Sequence, residues 1–150
     1  MWARLLEQPL FLLMAGISAL SMLVPAAHAF ALENAAEGRA FLYSAVLGGL
    51  MVALVGIARA NLLRRRGEMG NLLALFAGLA ALPLFLALPF YEALRTTSYL
   101  NAYVEMVSAL TTTGAAFFDA DRLSDTLHLW RGMVGWMGGA LIWVAAAAIL

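Results

Sequence analysis

Ser108-Ala109-Leu110-Thr111-Thr112-Thr113-Gly114-Ala115 lies between two strongly apolar parts of the chain and decides how the rest is read. It follows a short helix-like run and precedes Trp130-Arg131. A Thr-Thr-Thr-Gly turn is a poor thing to bury in lipid. Its amides and carbonyls need partners, and non-helical backbone at membrane depth is tolerated only inside protein or along a watery path.

The bulk composition puts this turn in a membrane context. The chain has 150 residues, of which 64% are hydrophobic and 12% charged. A soluble domain carries about 45–50% apolar and about 25% charged residues. The residues are therefore those of an integral membrane protein. There is no cysteine, which excludes disulfides, thiolate metal sites and a cysteine nucleophile. His28 and His128 are 100 residues apart and do not by themselves define a metal site. No Ser-His-Asp set, phosphate-cradling glycine loop or histidine–carboxylate spacing points to an enzyme.

Outward from the Thr-Gly run, apolar stretches cover Pro9–Leu32, Ala40–Leu63, Asn71–Phe90 and Trp130–Leu150. Each is near the roughly 20 residues that cross a hydrocarbon core. Ser98–Leu110 is shorter, about 20 Å as a helix, and is interrupted by Asn101, Glu105 and Ser108. It reads as a re-entrant half-helix with Thr96, Thr97 and Ser98 as N-cap oxygens. The expected fold is all-α and membrane-spanning. Residues 1–68 form two preliminary transmembrane helices, and residues 69–150 form a helix–re-entrant pore loop–helix unit with its filter at 111–115. The first stretch has a second reading as a signal peptide, with Ala27-His28-Ala29 as the cleavage signal.

All nine basic residues are arginine, and Arg59, Arg64, Arg65 and Arg66 fall within one eight-residue window. The positive-inside rule places that loop in the cytoplasm, with the N-terminus inside and Tyr91–Arg131 outside. Asp119, Asp121 and Asp125 then make a slightly acidic outer loop, suited either to a cation pathway or simply to solvent. Arg64–Arg66 suit anionic lipid headgroups rather than nucleic acid.

The half-helix would point its C-terminal carbonyls, with about half a negative charge, at the membrane centre. Thr111–Thr113 would then run outward in extended form, their carbonyls replacing a cation's hydration shell. Gly114 would supply a backbone geometry closed to residues with a Cβ. An outer helix followed by a polar turn is the plain alternative.

The flanks Tyr103-Val104-Glu105-Met106-Val107-Ser108 before the turn, and Leu129-Trp130-Arg131 with Gly135-Trp136-Met137-Gly138-Gly139 after it, bear on that choice. With the turn, they resemble the first pore repeat of the Trk/Ktr/HKT superfamily of potassium transporters, closest to the TrkH-type membrane subunit. The resemblance is specific over Ser98–Leu150 and covers residues 1–97 only in layout. It implies potassium uptake across the bacterial inner membrane, through a filter of four strands from four repeats. Carried over, the ion-binding carbonyls are those of Thr112 and Thr113, with Thr111 and Gly114 beside them.

The resemblance also implies conduction that is either passive or coupled to an ion, H+ or Na+, and no cofactor. It further implies a cytoplasmic nucleotide-binding regulatory partner and dimerisation of complete subunits. One repeat cannot surround an ion, so the remaining pore repeats or other subunits are expected partners. A non-conducting remnant or membrane scaffold is the alternative function. Gly139 is followed by Ala140-Leu141-Ile142, where the family tends to continue with glycine.

Other residues carry lesser expectations. Ser108 and Glu105 are expected to support the pore helix, Glu105 by accepting hydrogen bonds. Arg131 is either an interfacial anchor or the partner of an outer-loop carboxylate. Gly135, Gly138 and Gly139 are expected to let the last helix approach the half-helix, and Pro83 and Pro89 to bend the third span.

Overall fold

The computed structural model describes residues 10–59 and 68–149, and every regular element among them is helical. The order is α1 (Leu10–Ser21), α2 (Leu23–Ala31), α3 (Ala35–Arg59), α4 (Glu68–Leu94), α5 (Tyr99–Leu110), a single 3-10 turn (Ala120–Arg122) and α6 (Asp125–Ile149). The arginine cluster Arg64–Arg66, on which the orientation rests, lies outside the described residues, as do residues 1–9 and Leu150.

The first apolar stretch is interrupted where one helix was expected. It divides at Met22 into α1 and α2, although Met22 itself keeps helical backbone and the two together make a 21-residue apolar rod, Phe11–Ala31. Pro25 has no N–H to give the Ser21 carbonyl. Ser18 and Ser21 turn their hydroxyls back onto the carbonyls of Met14 and Ser18, both at 2.8 Å. Such back-bonding slightly weakens a helix at the carbonyls it shares.

Glu33, at a positive φ of 58°, reverses the chain, and the Asn34 side chain caps α3 by accepting from the Glu37 N–H. The hairpin gives a second rod, Ala35–Arg59, of 25 residues. Both rods are long and apolar enough to cross a membrane. The outward face of α3 carries Tyr43, Val46, Leu50, Leu54 and Ile57 at helical spacing, all exposed. An apolar stripe of that length belongs against lipid or another protein rather than water.

Helices α4 and α6 have 27 and 25 residues, roughly 40 Å each at 1.5 Å per residue. Both extend beyond the apolar stretches that announce them. Helix α4 runs through Pro83 and Pro89 to Leu94, and α6 begins at Asp125 rather than near Trp130. The polar first turn of α6 hides its start from a reading of hydropathy alone, while Ser124 caps it by accepting from the Leu127 N–H.

The core lies where α4, α5 and α6 meet the α2–α3 hairpin. Met22, Phe41, Leu86, Phe90, Met106, Leu110, Trp130 and Val134 are fully buried there. Phe41 meets Trp130 edge to face at 5.6 Å between centroids, a favoured aromatic geometry.

Candidate functional site

Helix α5 has 12 residues, about 18 Å of rise, so it spans about half the length of its neighbours. The Ser98 hydroxyl caps it by accepting from the Asn101 N–H at 3.3 Å. From there it runs antiparallel to α4. Tyr99 donates to the Leu84 carbonyl and Tyr103, one turn on, donates to the Ala80 carbonyl at 3.2 Å.

It runs parallel to α6. Arg131 meets Glu105, Gly135 lies near the Ala109 carbonyl, and Gly138 lies against Leu110. A Cβ on Gly138 would collide with the Leu110 backbone, whereas one on Gly139 would meet nothing. Gly138 stands near the middle of α6. The C-terminus of α5 therefore ends at mid-length of the bundle, packed onto a small residue that admits its backbone.

The chain then turns back along α5. Ser108 Oγ donates to the Ala115 carbonyl at 2.7 Å, and the Phe117 N–H donates to Glu105 Oε2 at 2.7 Å. Descending residues 108 and 105 thus face ascending residues 115 and 117. Thr112 to Phe117 are all exposed, so none of the described chain covers this return segment.

The turn itself differs from the expected extended Thr111–Thr113. Thr111 ends α5, and its hydroxyl donates back to the Val107 carbonyl at 2.8 Å. The Thr112 N–H donates to the Ala109 carbonyl at 3.1 Å and the Thr113 N–H to the Ser108 carbonyl at 3.0 Å. These two bonds define a Schellman cap, which requires a left-handed residue. That residue is Thr112, at φ 56°, and Gly114 is left-handed as well at φ 73°. Helix capping therefore overrides threonine's preference for extended backbone at Thr112. Negative φ at Thr111 and Thr113 alternates with positive φ at Thr112 and Gly114.

A β-branched residue at positive φ is strained, by about 1–3 kcal/mol. Thr112→Gly is expected to raise the stability of the purified chain by about 1 kcal/mol, the released strain outweighing glycine's chain entropy. Denaturation in detergent checks it. A loss of stability would show that Thr112 is not held left-handed in the protein.

Glu105 is the hub beneath the return segment. Only 2% of its side chain is exposed, and it receives the Phe117 N–H on one oxygen and Arg131 Nη1 at 3.2 Å on the other. A buried carboxylate needs such partners. Of the two readings of Arg131, the structure favours pairing, but with Glu105 rather than an outer-loop carboxylate. Asp119, Asp121 and Asp125 are exposed, and the Arg122 guanidinium sits 5.9 Å from the Phe118 ring. Among the described residues no group of three His, Asp or Glu side chains is placed to hold a metal.

Three side chains that the sequence reading passed over or gave another role complete the frame. Tyr99, Tyr103 and Trp130 donate to the carbonyls of Leu84, Ala80 and Leu86 on α4. Pro83 and Pro89 free the carbonyls of Leu79 and Phe85, because proline has no N–H. The three acceptors each adjoin one of these. The three donors therefore reach carbonyls next to the freed ones rather than the freed ones themselves. Helix α4 stays continuous through both prolines, and the side-chain contacts beside them help seat α5 and α6. The readable signal was Tyr99 and Tyr103 at i and i+4, facing a helix that contains proline.

The fold and site together define a helical bundle with a half-length helix and an uncovered return segment. A 72-residue stretch, 47% of this chain, is 46% identical to the Trk system potassium uptake protein TrkI of Halomonas elongata. The stretch covers 13% of that protein, so this chain corresponds to only a small part of it. No protein-family model matches the chain, and no solved structure matches it.

Proposed function

We propose that Thr111–Gly114 is one strand of a potassium selectivity filter, and that the chain serves potassium uptake as part of a Trk-type translocation subunit in the inner membrane. The observation that carries this reading is a half-length helix whose chain returns beside it with alternating φ signs. In a uniform strand successive carbonyls point to opposite sides. Alternating left- and right-handed residues turn successive peptide units the same way, with N–H groups to one side, as in anion-binding nests, and carbonyls to the other. Carbonyls gathered on one side can replace the hydration shell of a potassium ion.

In this reading the ion meets the carbonyls of Thr112 and Thr113, flanked by those of Thr111 and Gly114. Ser108 and Glu105 hold the return segment against α5. A single strand leaves most of the ion's coordination open, so further repeats or other subunits supply the rest. A coupling ion, H+ or Na+, a cytoplasmic nucleotide-binding regulatory partner, dimerisation of complete subunits and an N-terminus in the cytoplasm belong to the same proposal.

The test is Gly114→Ser in a complex containing the remaining repeats, expressed in a strain lacking its own potassium transporters. Nothing crowds Gly114, so the substitution acts through its positive φ rather than through packing. Preference for rubidium over sodium is expected to fall about tenfold or more, since tilting the carbonyls by even ~1.4 kcal/mol of differential ion affinity gives that factor. Thr113→Val, which keeps the β-branched shape, is expected to change it less. Unchanged preference in an assembled Gly114→Ser complex would overturn the filter reading and leave a polar outer turn.

A further inference from the structure

The N-terminal hairpin makes two polar contacts with the first turn of α6. Ser124 Oγ donates to Glu37 Oε2 at 2.9 Å while accepting from the Leu127 N–H at 3.2 Å. Two residues on, Thr126 Oγ1 lies 3.0 Å from His28 Nδ1. Thr126 and Glu37 are both buried, at 1% and 9% exposure. Thus α3 holds the capping residue of α6, and α2 holds the residue two places later.

The same helix carries Arg131 about one and a half turns further. Arg131 holds Glu105, and Glu105 holds the Phe117 N–H of the return segment. Polar contacts in an apolar setting fix one register, because a slip leaves buried groups without partners. A helix free to rotate or slide by one residue would carry Arg131 away from Glu105.

We propose that the N-terminal hairpin is a positioning device for the return segment, with Glu37 and His28 setting the start and register of α6 through Ser124 and Thr126. The two preliminary helices then do more than anchor the chain. They fix the geometry of a strand that neither of them touches through these residues. The effect on ion preference rests on the filter reading above, but the positioning itself does not.

The experiment is hydrogen exchange by mass spectrometry on the full 150-residue chain in lipid nanodiscs. Thr126→Val keeps the side-chain shape and removes the hydroxyl, and Glu37→Leu removes the carboxylate. Exchange of the Phe117 amide, the hydrogen-bonded amide of the return segment, is expected to rise about tenfold in each, the factor for losing the net worth of one buried hydrogen bond. Exchange in Tyr99–Leu110 should stay unchanged. Thr126→Ser and Glu37→Gln retain a hydroxyl and an acceptor oxygen, so they should behave as the parent chain.

Unchanged exchange of the Phe117 amide in Thr126→Val would overturn the proposal. So would an equal rise through α4 and α5, which means general loosening. Rubidium and sodium uptake by complexes carrying Thr126→Val separates the two readings. Looser exchange with unaltered ion preference keeps the positioning role and counts against the filter.

Discussion

Gly138→Ala is expected to destabilise the chain by about 3 kcal/mol, the upper end for overpacking a close contact, while Gly139→Ala is neutral or slightly stabilising. The two glycines are neighbours on α6, so helix propensity, depth and hydrophobicity change alike in both. Only their surroundings differ. A Cβ at position 138 runs into the backbone of Leu110, and one at position 139 meets open space. Backbone cannot rotate aside as a side-chain tip can, so relief requires α5 to move off α6. Leu110 is itself fully buried, and that movement would expose it together with the turn that follows.

The measurement is the denaturation midpoint of each purified variant in detergent, with an expected fall of about 6–12 °C for Gly138→Ala. A paired-label distance between the end of α5 and α6 should lengthen in the same variant alone. Equal behaviour of the two variants would mean that the half-length helix does not seat on Gly138. Its penetration to mid-bundle, and with it the placing of the return segment, would then be wrong.

How much of this was readable from the residues depends on the range over which each contact acts. The rods were legible because apolar length is a local property of the chain. So was the half-helix, from its shortness, its Ser98 cap and the polar interruptions at Asn101, Glu105 and Ser108. Gly138 could be assigned to packing against α5, because small residues in an apolar helix have few other uses. The extended Thr111–Thr113 was mistaken because two local preferences compete there. Threonine favours extended backbone, but α5 ends with unpaired carbonyls that a left-handed Thr112 allows Thr112 and Thr113 to satisfy. Capping wins at the cost of strain.

The other misses are contacts between residues far apart in sequence. Nothing near Glu37 announces Ser124, 87 positions away, or ties His28 to Thr126, 98 positions away. The start of α6 was legible in principle, since Ser124-Asp125-Thr126 carries a capping residue and an acid in the first turn. Hydropathy hid it by favouring Trp130.

Glu105 supports the second large effect, because its two oxygens serve different masters. Oε2 accepts from the Phe117 backbone and Oε1 faces Arg131. Glu105→Leu removes both partners at once. It strands a backbone N–H of the return segment and leaves Arg131 without its carboxylate, a loss of about 3–5 kcal/mol for one broken side of a buried pair. Arg131 is about one-third exposed, at 31%, whereas Glu105 is sealed. The guanidinium can therefore turn to water when its partner goes, which puts the expected loss near the lower figure.

Glu105→Gln discriminates between the two duties. It keeps an oxygen for the Phe117 N–H and gives up only the charge, so it is expected to cost about 1 kcal/mol, near the net worth of an ordinary hydrogen bond. Arg131→Ala should cost more than Glu105→Gln, because it leaves an ionised carboxylate buried with one backbone donor. The expected order of stability is parent, Glu105→Gln, Arg131→Ala, Glu105→Leu, read by denaturation and by protection of the Phe117 amide. If Glu105→Gln were as damaging as Glu105→Leu, charge alone would hold the return segment and the backbone bond to Phe117 would be incidental. If Arg131→Ala were silent, the ion pair would be incidental and the backbone bond would be the brace. Either result would break the chain of contacts that joins α6 to the proposed filter strand.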